Sequence, residues 1–324
     1  MAKAAKKTNK KIKRETKKSK PSFSMRDGVQ DAVFIGIIFV LLLFLLKPLV
    51  IDRLSPQGVD VIGGIGKRHQ VSEYYKESGE RALWNPSIFA GMPLYHRISA
   101  QAFSIDTLFS RLSRVLHIVF LYYFFGAAGF YLLLRYLKMI PVIAFFGALL
   151  FIFMPHYKSL YLVGHLAKFK ALMLLPWIYL TFRYFLNTRS LLGIAFFALA
   201  FGAQIRTQHY QIVFYTGLLI FAAGIYPFLK DLVAKEYLKF TKSTAMLLAG
   251  LTLSILMSAQ PLFLAKEYLP WSKRGKTTID LNKPVKSGDE SDGVSWKYAT
   301  DWSTAPSEVF TWLLPRFYGG MSRE

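Results

Sequence analysis

The segment Gly164-His165-Leu166-Ala167-Lys168-Phe169-Lys170 sets one titratable nitrogen and two permanent cations within two helical turns. On a helix, His165 and Lys168 are three apart and share a face, so an imidazole and an ammonium are directed at the same small volume. Such a pair suits a phosphate or pyrophosphate, whose oxygens take charge-assisted hydrogen bonds and whose leaving-group charge a cation offsets. Lysines at a membrane edge also serve as snorkelling anchors, and charge alone leaves both uses open. Arg206-Thr207-Gln208-His209-Tyr210-Gln211 is a second polar cluster set against long apolar runs. Polar groups this close to hydrocarbon are costly unless paired or hydrated, so a polar cavity is the economical explanation. The histidines show no metal-ligand spacing.

Two other stretches invite a functional reading. Trp84-Asn85-Pro86-Ser87-Ile88-Phe89-Ala90-Gly91-Met92-Pro93 combines turn formers with large aromatics, a rigid and half-apolar loop able to pack on a membrane or a lipid chain. Gly63-Gly64-Ile65-Gly66-Lys67-Arg68-His69 superficially suggests a phosphate loop but fails both glycine-rich templates. The Walker pattern needs Gly at Val61 and Ser or Thr at Arg68, and the dinucleotide pattern needs Gly at His69.

The elements that must position these residues are membrane helices. The chain has 324 residues, is 53% hydrophobic, carries a net charge of +22 and has no cysteine. Its mean hydropathy is +0.31. This excludes a disordered chain, a disulfide scaffold, thiolate metal sites and cysteine nucleophiles. Charge is packed into segments: Met1 to Arg26 holds eleven Lys or Arg against Glu15. That tail, taken to residue 31, fixes the N-terminus in the cytoplasm and attracts anionic lipid head groups. With one aromatic, Phe23, it has nothing to present to nucleic acid, which is not expected as a partner.

The first span runs from Ala32 to Ile51. Six more are placed at Val115 to Leu134, Ile140 to Met154, Ala171 to Leu186, Leu191 to Ile205, Ile212 to Leu229 and Ser243 to Gln260, about seven in all. The expected fold is therefore an all-α polytopic bundle over residues 32–260. Alternation puts Arg135 with Lys138, Arg183 with Arg189, and Lys230 through Lys242 inside, as positive-inside topology requires. Two outward segments remain, 52–114 and 261–324. Within the first, Phe103 to Leu116 is amphipathic and suits either the membrane surface or a cap on the bundle. No acid falls in the middle of a span, which argues against a proton-driven pump or cation channel.

Taken in order, Asp60, Trp84-Asn85 with Phe89-Ala90-Gly91-Met92-Pro93, Gly164-His165 with Lys168 and Ala171 before Pro176-Trp177, His209-Tyr210-Gln211-Ile212 with Tyr215, Tyr298-Ala299-Thr300 with Trp302, and Phe317-Tyr318-Gly319-Gly320 resemble the bacterial YfhO family. Its members resemble GT-C glycosyltransferases, polytopic enzymes that take a sugar from a polyprenyl-phosphate donor on the outer face of the membrane. The resemblance implies a GT-C-like bundle in the bacterial cytoplasmic membrane. It also implies a longer protein of which these residues are the N-terminal part. It places Asp60 at the acidic position of the first outer loop, to accept the acceptor hydroxyl's proton or ligate a divalent metal. Asp52 is the rival for that role.

In this reading His165, Lys168 and Lys170 hold the lipid-linked phosphate, Arg206 and His209 complete the polar site, and Trp84 and Asn85 contribute to substrate binding. The expected activity is transfer of a sugar to a cell-envelope glycan or lipid. No cofactor is fixed beyond the possible metal. Two alternatives stand beside it: a transporter or flippase of lipid-linked saccharide, and a non-catalytic membrane subunit.

Overall fold

The structure is a computed structural model that describes residues 25–88, 90–95 and 105–271, with scattered positions between 296 and 317. Most of the basic tail, Phe89, Phe103, the polar stretch 272–295, Tyr298, Ala299, Trp302 and residues 318–320 lie outside the described residues. The chain divides into two compact units, Met1–Met92 with Ala100–Ser258, and Pro93–Ser99 with Ala259–Glu324.

The described residues are mostly helical, with one two-stranded ladder of β1 (Trp84–Asn85) and β2 (Met92–Pro93). The helices of the larger unit are α1 (Met25–Leu45), the single turn α2 (Lys47–Val50), α3 (Val59–Ser78), α4 (Ile105–Leu112), α5 (Ile118–Tyr136) and α6 (Pro141–Ile152). They continue with α7 (Pro155–Val163), α8 (Leu166–Thr188), α9 (Leu191–Ile205), α10 (Tyr210–Val233) and α11 (Tyr237–Leu256). Five expected spans fall on one helix each, whereas Ala32 to Ile51 is divided between α1 and α2 and Ser243 to Gln260 runs past the end of α11 at Leu256. Start and stop signals are local. Proline opens α6 and α7, where its missing N–H costs nothing. Ser190 caps α9 by accepting from Gly193 N.

Three of these helices are long and apolar enough to cross a membrane, Gly28–Leu45 within α1, α5 and α10, and up to five spans result if each bent helix pair is counted as one. One such pair is α6 with α7, bent by 41°. The helix α8 has the length, at 23 residues, but carries Lys168, Lys170 and Arg183; α9 is apolar but has only 15 residues. Large apolar side chains face outward along the bundle, among them Phe44, Leu150, Leu191, Phe214 and Phe221. A surface of this kind belongs against lipid.

Close packing at small residues joins the helices, as expected where lipid competes equally for apolar surface. Between α5 and α8, Gly126 admits Met173 and Gly129 admits Trp177, whose indole N–H donates to Phe125 O at 2.8 Å. Between α9 and α11, Gly250 receives Ile194, and Ser254 Oγ donates to Ala198 O at 3.1 Å. Phe120, Phe169, Phe182, Phe185 and Phe197 are fully buried in the resulting core. The amphipathic α4 docks on α5 through Phe109, whose ring meets Tyr122 edge-on at 4.8 Å, while Leu108 and Leu112 stay exposed. It caps the bundle with one residue and leaves an apolar edge outward.

One end of the bundle is stapled by buried ion pairs. Asp31 Oδ1 accepts from Tyr131 Oη at 2.6 Å and Arg135 Nε at 2.7 Å. Asp231 accepts from Arg189 Nη2 at 3.1 Å and Lys239 Nζ at 2.6 Å. Both acids sit near helix ends, which leaves the middle of the spans free of carboxylates. The helix α1 begins at Met25, ahead of the apolar run at Ala32, and carries Asp31 to its partners on α5.

The smaller unit holds α12 (Ala259–Tyr268) and 3₁₀ turns at Leu269–Trp271 and Pro306–Trp312. Glu308 closes the last of these by accepting from Ala305 N at 2.9 Å.

Candidate functional site

At the end of the bundle opposite the ion-pair staples, three helices begin without a side-chain cap: α3 after Gly58, α8 after His165 and α10 after His209. Their free N–H groups and dipoles favour negative charge. Asp60 lies in the first turn of α3, where such a field suits a carboxylate.

The chain brings Asp60 to His165 across 105 residues, with His165 Nε2 3.0 Å from Asp60 Oδ2. Two glycines make this approach possible. A Cβ on Gly58 would stand 2.1 Å from Leu162 O, and one on Gly164 would stand 3.1 Å from Asp60 Cβ. Gly164 also has φ +113°, a conformation that other residues adopt only under strain. The turn from α7 into α8 therefore lies flat against the first turn of α3. His165 itself is held by its backbone, with N donating to Leu160 O at 2.8 Å.

Lys168, half-buried, follows one turn along α8 on the His165 face. His209 lies within its field. Burial lowers the pKa of His209 below the ordinary 6.5, and the charges of Lys168 and His165 lower it further, against a backbone hydrogen bond that acts the other way. Its Nδ1 is buried without a hydrogen-bond partner. Arg206, in the turn between α9 and α10, donates to Met257 O at 3.2 Å and so ties this corner to the end of α11. Asp60, His165, Lys168 and His209 thus form one group, with Arg206 on the same end.

The other expected residues are placed elsewhere. Lys170 is two positions beyond Lys168, on a different side of α8, with its ammonium 5.3 Å over the Tyr122 ring. Asn85 is buried, donating to Lys67 O at 2.8 Å and accepting from Ser87 N at 3.0 Å. Lys67 is about 10 Å along α3 from Asp60, so Asn85 fastens the loop to the helix rather than facing the carboxylate. Trp84 is exposed and covers Gly91, where a Cβ would strike its ring. Asp52 pairs with Lys47 at 3.9 Å on an exposed surface.

Among the described residues no group of three or more His, Asp or Glu is arranged to hold a metal ion. The divalent cation that the resemblance implies has no donor set of that size there.

Gln204 is not among the residues that the sequence singles out. It is fully buried, its amide nitrogen donating to Ala171 O at 2.9 Å and Thr216 Oγ1 at 3.0 Å, while Oε1 has no partner. A lone amide in the apolar α9 was the available signal. Away from Asp60, an apolar groove of about 400 Å³ runs between α5, α8 and α9, lined by Phe125, Leu174, Trp177, Tyr184 and Phe196 among others.

No protein-family model, curated protein or solved structure matches this chain.

Two expectations arise from this geometry. Asn85→Ala strands the Ser87 N–H and undoes the tie to α3, a loss of about 1–3 kcal/mol for a buried group. Limited proteolysis between Trp84 and Met92 should quicken about tenfold at matched protease; an unchanged rate would mean the loop is held by other contacts. The second concerns pH. Burial also lowers the pKa of His117, with Arg53 adding to the effect. His117 and His209 then bind protons less readily folded than unfolded, so their contribution is complete above about pH 6.5 and is lost as pH falls through their folded range. The melting midpoint is expected to drop between pH 7 and 5, less steeply in His209→Gln; equal slopes would contradict a neutral, half-buried His209.

Proposed function

We propose that the chain is a GT-C-type membrane glycosyltransferase of the YfhO family, moving a sugar from a polyprenyl-phosphate donor to a cell-envelope glycan or lipid. The observation that carries this reading is the solvent-reachable Asp60–His165 pair, 3.0 Å apart, beside Lys168 at one end of an apolar helix bundle. A carboxylate there takes the proton of an acceptor hydroxyl as its oxygen attacks the anomeric carbon. Lys168, the α8 N-terminus and Arg206 offset the charge that builds on the departing phosphate. His209, neutral at pH 7, supplies a hydrogen bond without adding charge. The groove along α8 offers apolar surface for the donor's chain.

In this proposal seven helices, α1, α5, α6, α8, α9, α10 and α11, cross the bacterial cytoplasmic membrane. The N-terminal lysines lie in the cytoplasm with the Asp31 and Asp231 ion pairs, and Asp60 lies outside. The buried pairs at that inner end are supporting observations, since each neutralises an acid where the positive-inside pattern places Arg135 and Arg189.

The test is reconstitution in vesicles holding a radiolabelled polyprenyl-phosphate sugar and membrane acceptors. Label is expected to leave the donor lipid and appear on acceptor. A flippase would instead carry the intact labelled lipid between leaflets. Donor that stays intact across several sugars would overturn the enzyme reading.

A further inference from the structure

We infer that His165 is the positioning residue for the Asp60 carboxylate, holding Oδ2 from Nε2 so that Oδ1 is presented to the acceptor hydroxyl. The inference rests on the glycosyltransferase reading and alters one part of it, since the sequence alone casts His165 as a ligand of the donor phosphate.

Geometry separates the two roles. Nε2 is directed at a carboxylate oxygen, and among the described residues His165 is the sole hydrogen-bond partner of the Asp60 side chain. A nitrogen engaged in this way is not free to hold a phosphate, which leaves that work to Lys168. Nor is the pair a staple of the fold. The two side chains are 52% and 59% exposed, and exposed pairs of this kind add little to stability. The stapling pairs of this protein look different, with Asp31 and Asp231 buried against arginines. Yet the backbone is drawn tight to make the contact, with α3 laid on the α7–α8 turn at Gly58 and Gly164. Close backbone apposition for a pair that contributes little stability fits a group whose placement matters to chemistry.

In the transfer itself the acceptor oxygen bonds to the anomeric carbon. The bond from that carbon to the phosphate oxygen breaks with its electron pair going to phosphate, and the acceptor proton passes to Asp60 Oδ1. His165 remains a hydrogen-bond donor throughout. Without it the carboxylate is free to turn about its side-chain bonds and present neither oxygen consistently.

The test has two arms on the full chain in lipid nanodiscs. In the first, transfer is measured for the wild type, His165→Ala, His165→Gln, Asp60→Asn and the Ala/Asn double variant. His165→Ala should lower kcat about 10²-fold with the donor KM unchanged. His165→Gln, which keeps an N–H donor at similar reach, should recover most of that loss, and the double variant should be no slower than Asp60→Asn alone. A raised donor KM with unchanged kcat would make His165 a phosphate ligand, and Gln performing no better than Ala would equally overturn the positioning role. In the second arm, ¹⁵N-histidine spectra need no turnover. The imidazole signal missing from His165→Gln should move in Asp60→Asn while the others stay, and an unmoved signal would refute the pairing. Absence of transfer by the wild type together with a shifted signal would leave the pairing intact. It would overturn the glycosyltransferase reading and the positioning role with it.

Discussion

Gly58→Ala is expected to lower sugar transfer by about 10²-fold while the protein still inserts and folds. The added methyl would lie 2.1 Å from Leu162 O and 2.7 Å from Val163 Cα, both backbone atoms that no rotamer change can clear. Gly58 itself has φ −62° and ψ 152°, which alanine adopts freely, so the effect comes from the contact alone. To relieve it, α3 must lift from the α7–α8 turn, carrying Asp60 away from His165. A displacement near 1 Å at a reacting group costs on that order in rate. The control is Gly63→Ala in the same helix, where a Cβ meets nothing within 4 Å. That change should leave transfer intact and, by removing an interior helix glycine, stabilise α3 by about 0.5–1 kcal/mol. Equal transfer by the two variants would show that the apposition of α3 is immaterial.

Asp231→Ala should be the most damaging single change to stability, at about 3–5 kcal/mol. The carboxylate is buried and joins the α8–α9 turn, through Arg189, to the start of α11, through Lys239. Arg189 already has Nη1 buried without a partner and stacks its guanidinium 4.7 Å over the Phe228 ring. Removing Asp231 leaves that cation in an apolar setting with no counter-charge. The double change Asp231→Leu with Arg189→Met, which withdraws both charges, should recover most of the loss. Thermal unfolding in detergent distinguishes the cases. A single variant as stable as the wild type would mean that water reaches Arg189.

What could be read from the sequence follows from which forces are local. Apolar runs announce themselves residue by residue, so five of the expected spans fall on one helix each, and Leu191 to Ile205 matches α9 to the residue. Helix ends were less visible where charge enters the helix. The helix α8 starts at Leu166, ahead of the span expected from Ala171, and carries Lys168 and Lys170 in its first turns. The helix α3 has no periodic signal in the sequence. It buries no residue and so has no apolar stripe, and Gly63, Gly64 and Gly66 lower its propensity; Gly79 at its end, with φ +72°, was the one conventional stop signal. His165 and Lys168 were legible as neighbours, being one turn apart. Their relation to Asp60 was not, because that contact is made by two distant backbone segments meeting at Gly58 and Gly164. Asn85 and Lys170 show the converse, contacts that the sequence does not announce. Tertiary packing turns one toward Lys67 O and the other over Tyr122.

The most direct measurement is sugar transfer from a radiolabelled polyprenyl phosphate by membranes holding the wild type, Asp60→Asn or Asp52→Asn at matched protein levels. Loss of transfer in Asp60→Asn, with Asp52→Asn close to wild type, is the expected result, since Asp60 meets His165 while Asp52 meets only Lys47 on the surface. Full transfer by Asp60→Asn would contradict the account.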